Sequence, residues 1–106
     1  MKHYAVAEIN ITDPAWTAEY VANVTGIVER HGGRYLARTA NFEKIEGDRP
    51  VPHVFLLIEW PSKEAANEFY ESEEYRPNLE ARREGSVGEF VLVAGEDLEG
   101  VANVAA

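Results

Sequence analysis

"TDPAWTAEYVANVTGIVERHGGRYLART" (residues 12–39) is the stretch on which the fold turns. Thr12 or Asp13 caps a helix, and Pro14 suits its first turn, where the backbone N–H has no helical partner to lose. Trp16, Tyr20, Val24, Ile27, Val28 and His31 then recur at intervals of three and four, which places them on one helical face. Gly26 inside the helix is a mild cost. Gly32 or Gly33 supplies the left-handed residue that stops it. "RYLART" (residues 34–39) follows at once as a strand, so the segment reads as a helix feeding directly into a strand.

Upstream, "HYAVAEINI" (residues 3–11) alternates with period two. Ala5, Ala7, Ile9 and Ile11 share an apolar face, and Tyr4, Val6, Glu8 and Asn10 share the other. Downstream, "ANFEKIEGDRPV" (residues 40–51) is too long for a two-residue hairpin and is expected as a projecting ribbon or a flap. "PHVFLLIEW" (residues 52–60) is the third strand. "PSKEAANEFYES" (residues 61–72) is the second helix, capped by Ser62, with Ala65, Ala66, Phe69 and Tyr70 inward. "SEEYRPNLEARRE" (residues 72–84) reads as a further short helix capped by Ser72 and ended by Gly85, with Pro77 near its start or at a kink. "GEFVLVAG" (residues 88–95) is the last strand. The tail, residues 96–106, has no clear period and is read as disordered or as lying across a neighbouring subunit, which leaves residues 1–95 as a single domain.

The order strand, helix, strand, strand, helix, strand is the ferredoxin-like βαββαβ arrangement of the α+β class. It makes a four-stranded antiparallel sheet with helices on one face only. The open face carries Tyr4, Val6 and Glu8, then Phe55 and Leu57, then Val91 and Val93. A patch that apolar implies a partner, and a symmetric homodimer packed sheet against sheet is expected.

Composition narrows the function classes. The chain has 106 residues, no cysteine, three histidines and a formal net charge of −9. Disulfide and thiolate chemistry are excluded, and histidines as scattered as His3, His31 and His53 are a poor basis for a metal site. Nucleic acid and anionic membranes both need a basic surface, which the excess of acid opposes. "MKHYAVAEIN" has no apolar leader and no run approaches membrane-spanning length, so a cytoplasmic protein is expected. No nucleophile elbow, phosphate loop or metal-ligand spacing occurs, and no cofactor is called for.

"GGRYLAR", "EGDRPVPH", "IEWPSKEAANEFYESEEY" and a closing "LVAG" resemble the small bacterial family known as domain of unknown function 1330, within the dimeric α/β-barrel superfamily. The resemblance runs from about Tyr4 to Gly95. It implies the ferredoxin-like fold and a homodimer whose two sheets form a barrel, and it implies no reaction. Asp13, Tyr35, Arg38, Glu46, Glu59, Tyr70, Ser72, Tyr75 and Arg83 match the family's recurring polar positions. His53 departs from it, standing where the family often has arginine. If that position holds an anionic ligand, its charge here depends on pH.

Two readings stand for each candidate residue. Arg38 either projects between sheet and helices to hold a carboxylate or enolate, or pairs with Glu43, Glu46 or Glu59. Glu59, near the end of an apolar strand, is either a buried general base or a strand-end carboxylate paired with Arg38. Glu8 and His53 are expected close together through pairing of the first and third strands, as a proton shuttle or an interface pair. Tyr20, Tyr35, Tyr70 and Trp16 either line an apolar ligand pocket, with Tyr75 and Phe69, or are core. His31 is expected to interact with the end of its helix. Three functions follow: a cofactor-independent homodimeric enzyme acting on a small, partly apolar anionic compound; a small-molecule-binding or stress-related accessory protein without turnover; or a structural dimer without a ligand site.

Overall fold

Burial follows the alternation of the first strand. In β1 (His3–Ile11), Ala5, Ala7 and Ile9 are buried and the residues between them are half-exposed. The computed structural model describes residues 1–100, so the expectation for the tail beyond Gly100 lies outside the described residues. A single 3₁₀ turn (Pro14–Trp16) precedes α1 (Thr17–Arg30). Asp13, not Thr12, caps that turn, accepting the Ala15 N–H at 3.0 Å. The helix proper therefore starts later than its first cap signal, because Pro14 permits a tighter turn ahead of it.

Gly32 stops α1 with φ +92°, a conformation that L side chains rarely adopt. Gly33 is needed for a different reason. A Cβ there would meet Val28 at 2.7 Å and Trp60 at 2.8 Å, so only glycine lets the chain turn so close to the core into β2 (Arg34–Thr39). The connection over residues 40–53 carries no strand, so it is not the ribbon extension of its neighbours. β3 (Val54–Trp60) follows. Ser62 caps α2 (Lys63–Glu71) by accepting the Ala65 N–H at 3.1 Å. α3 (Arg76–Glu84) begins four residues after the expected cap: Ser72 Oγ accepts the Tyr75 N–H and donates to Phe69 O, organising the turn between the helices. β4 (Ser86–Ala94) starts two residues before the expected strand, because α3 runs into it through Gly85 alone.

The strands lie in the order β2-β3-β1-β4, all antiparallel, and the fold is ferredoxin-like. The helices cover the face bearing Ala5, Ala7, Leu56 and Ile58, with Trp60, Tyr75, Val24 and Val28 wholly buried between the layers. On the open face Val6 lies opposite Leu57 on one side and Val91 on the other, the arrangement the alternation predicts. No helix among the described residues is long and apolar enough to cross a membrane.

Candidate functional site

A bulge in β2 brings the first candidate residues together. Tyr35 pairs with Ile58, but Arg38 pairs with Leu56, so β2 spends three residues where β3 spends two. The extra residue, Leu36, turns Arg38 onto the face already occupied by Tyr35. There the Arg38 Cζ stands 4.3 Å above the Tyr35 ring, and Nη1 donates to Thr25 Oγ1 on α1 at 2.9 Å. Burial pushes the Tyr35 phenol up, against the opposing pull of Arg38. Arg38 thus faces a ring and a hydroxyl, not the carboxylates expected. Glu43 and Glu46 line a hollow on the open face, and Glu59 points to that face too.

The most unusual chemistry lies deeper. Tyr20 on α1 and Tyr75, the residue before α3, put their hydroxyl oxygens 2.7 Å apart inside the protein. Burial, then the neighbouring Tyr75, pushes the Tyr20 phenol well above its ordinary value, so it stays protonated. Beside them is Arg82, only 8% exposed. Burial disfavours its charge, but the adjacent Tyr75 and Tyr20 oxygens outweigh that and hold the guanidinium protonated. It makes no salt bridge among the described residues, and its Nε has no hydrogen-bond partner.

Arg82 opens onto a cavity of about 420 Å³ lined by Tyr70, Arg82, Arg83, Ser86, Val87, Gly88 and Phe90. The guanidinium carbon sits 5.4 Å from the Phe90 ring centroid, and Tyr70 packs on both Phe90 and Tyr75. Not one lining residue is acidic, in a chain that carries 19 acids and 10 bases. The cavity therefore joins aromatic walls to a buried positive charge. Sequence reasoning passed over Arg82, although Tyr75, Leu79, Arg82 and Ser86 are spaced four, three and four apart. That spacing puts Arg82 on the inner stripe of α3 with Tyr75.

Of the aromatic quartet, Tyr70 lines this cavity. Tyr20 stands behind Arg82, with Trp16 edge-on to it at 5.2 Å and anchored by its Nε1 donating to Gly85 O at 3.0 Å. Tyr35 is set aside under Arg38. The expected proton movers lie elsewhere. Glu59 on the open face is bridged to Lys2 at 3.3 Å and Arg34 at 3.5 Å. Glu8 does not meet His53: it takes Arg49 at 2.6 Å. His53 precedes β3 at the sheet's end, where its Nδ1 accepts the Ile11 N–H at 2.8 Å and its own N–H donates to Asn10 Oδ1. The Glu8–His53 expectation fails because Arg49, on the long connection, reaches back over the open face. His31 Nδ1 lies 2.9 Å from Ile27 O at the end of α1, as expected.

A larger hollow of about 800 Å³ lies between the open face, at Glu8 and Phe55, and the connection holding Phe42 to Pro52. Glu8 and Arg49 neutralise each other there, and the wall facing the sheet is a single loop that carries the acids Glu43, Glu46 and Asp48 against Lys44. The smaller cavity has on its wall a buried guanidinium with no carboxylate partner among the described residues and is the better candidate site.

Similarity to known proteins agrees with the fold. No curated protein matches the chain. Among solved structures, a protein of unknown function from Rhodopseudomonas palustris, RPA0582, superposes with a TM-score of 0.72 at 16% identity, covering 87% of this chain and 80% of that one. SnoaB, a cofactor-independent oxygenase from Streptomyces nogalater, gives 0.63 at 17% identity over 91% of this chain and 94% of that one. An antibiotic biosynthesis monooxygenase gives 0.53 at 17% identity over 92% and 100%. Identities this low speak for the architecture alone. The sequence pattern of one family, described as domain of unknown function (DUF1330), matches residues 2–96. That match spans every strand and helix described above, and the chain belongs to the DUF1330 family.

Proposed function

We propose that this chain binds a small, partly apolar, anionic compound in the cavity beside Arg82, and acts on it as a homodimeric enzyme without a metal or organic cofactor. Arg82 carries the reading: a buried guanidinium with no carboxylate within ion-pairing reach among the described residues. The Tyr75 and Tyr20 oxygens offset the burial of that charge without neutralising it, so the guanidinium is suited to an anion arriving from outside. The likeness to a cofactor-independent oxygenase supports the same reading at the level of fold. Arg38 and Tyr35 form a second polar cluster on the helix-covered face, on β2 at the sheet edge away from β4 and the cavity.

Pairing of two copies through the open face completes the proposal. Val91 and Val93 are 48% and 45% exposed in the isolated chain, beside Val6 and Leu57. An apolar strip through the centre of a sheet suits an isologous contact. A cytoplasmic setting fits a chain without cysteine.

A second reading, binding without turnover, is favoured by one observation: both carboxylates expected to move protons, Glu8 and Glu59, are neutralised on the opposite face. Thermal-shift measurements with a panel of aromatic acids, phenols and enolisable ketones test the site. A rise in melting temperature with wild type and none with Arg82→Met supports it. An equal rise with both proteins overturns it. Product formation from the stabilising compounds then separates the enzyme from the binder.

A further inference from the structure

The cavity beside Arg82 has a neighbour. Gly88, Phe90 and Leu92 lie opposite Ile9, Ala7 and Ala5, so they share the helix-covered face of the sheet. β4 is an edge strand, however, and the helices cover it incompletely: Phe90 and Leu92 stay half-buried. Beside them, against α2, lies a second hollow of about 290 Å³. Tyr70 and Phe90 border both hollows, with ring centroids 5.7 Å apart, so the two adjoin along β4. Gly88 borders the first and Leu92 the second, and the strand from one to the other is about 13 Å long.

The two ends differ in chemistry. The first hollow has Arg82 and Arg83 on its wall and no acid. Neither arginine has an ion-pair partner among the described residues, and Arg83 is exposed. Both guanidinium charges act at that end beyond hydrogen-bond range. The second hollow has no charged residue on its wall: Ala5, Ala66 and Leu92 are aliphatic, Phe90 and Tyr70 aromatic, and exposed Asn67 brings an amide. A third hollow adjoins at Tyr70 and Arg83, but Glu71, Arg76 and Glu80 line it, and an apolar group there would strip water from those charges. An anion seated beside the arginines therefore has one favourable direction for an apolar body, past Phe90 toward Leu92. Resting on the assignment of the cavity as an anion site, we infer that its ligand is an elongated amphipathic anion, with its charged group beside Arg82 and Arg83 and an extended apolar chain lying over Phe90 and Tyr70 into the hollow against α2. A compact anion would leave that apolar hollow to water.

The test titrates the full chain calorimetrically with butanoate, hexanoate and octanoate below their micelle-forming concentrations, with octanol as the uncharged comparison. Affinity should rise by roughly two- to fourfold for each methylene added. Octanoate should bind at least about tenfold more tightly than octanol, and Arg82→Met should remove that difference. Arg83→Met, at an exposed position, should shrink it and serves if Arg82→Met does not fold. Asn67→Trp fills the second hollow from the surface of α2, so it should flatten the dependence on chain length and leave butanoate binding unchanged. Equal affinity for the three acids, or a length dependence that Asn67→Trp leaves intact, would overturn this inference and leave the anion site standing as long as Arg82→Met weakens the binding of the acids. Octanol bound as tightly as octanoate would overturn the inference and the site together. Absence of any alkanoate binding would overturn the inference, and the site with it unless aromatic acids still stabilise wild type and not Arg82→Met.

Discussion

The hydroxyls of Tyr20 and Tyr75, from residues 55 apart in sequence, meet at 2.7 Å between α1 and the start of α3. Burial raises the Tyr20 phenol, so the folded state holds its proton more tightly than the unfolded chain does. Below the ordinary phenol value of about 10, both states are protonated and this contribution is fully present. As pH rises through it, the unfolded chain ionises while Tyr20 does not, and stability is lost. Tyr35 acts in the same direction. Urea midpoints should fall as pH climbs past about 10, and the fall should be shallower in Tyr20→Phe. An unchanged slope in that variant would refute the buried pair.

Arg82→Met should behave unlike most buried substitutions. It removes a desolvated charge and the orphaned Nε–H together with the guanidinium's hydrogen bonds to Tyr20 and Tyr75, and keeps a side chain of similar length, so the ligand-free protein should stay within about 2 kcal/mol of wild type. Chemical denaturation reads this directly. A loss of more than about 3 kcal/mol would mean that Arg82 serves the fold and not a ligand.

Glu59→Gln removes a carboxylate that bridges Lys2 and Arg34 on the open face. Partly exposed pairs are weak, so the cost should stay near or below about 1 kcal/mol. Ligand-induced shifts in melting temperature should match wild type, since the cavity lies across the sheet. A lost ligand response would return Glu59 to the site.

Leu57→Asp places a charge at the centre of the open face, opposite Val6. The proposed dimer would then bury an unpaired carboxylate. Sedimentation should show the dimer dissociating at concentrations at least tenfold higher than for wild type. Identical sedimentation would reject this face as the interface.

Gly33→Ala should destabilise by roughly 1–3 kcal/mol, the usual cost of overpacking a core. The added Cβ meets Val28 and two Trp60 atoms under 3.0 Å, and neither side chain has room to retreat. Melting temperature reports it, with Gly47→Ala as the comparison, where backbone φ and not crowding opposes the change.

Which residues sit in helices and strands was legible because it is local. Alternation through Ala5, Ala7 and Ile9 and the three-four spacing of Tyr20, Val24 and Ile27 each state a period and a buried face. Cap signals were less reliable guides. Asp13 and Ser72 do make capping bonds, but to turns that lie before α1 and α3.

The sequence by itself determined the order of elements, the two faces of the sheet and the side that needs covering, since these follow from side-chain period and hydrophobic burial. The tertiary structure decided which charges meet. One bulged residue at Leu36 sends Arg38 to the helix-covered face, so it never faces Glu59. Arg49, 41 residues along the chain, takes Glu8 away from His53. Arg82 and Tyr20 become neighbours only when α3 packs on α1. Period fixes the direction of a side chain from its own element, whereas an electrostatic partner depends on through-space distance, which a single bulge or a long loop can change.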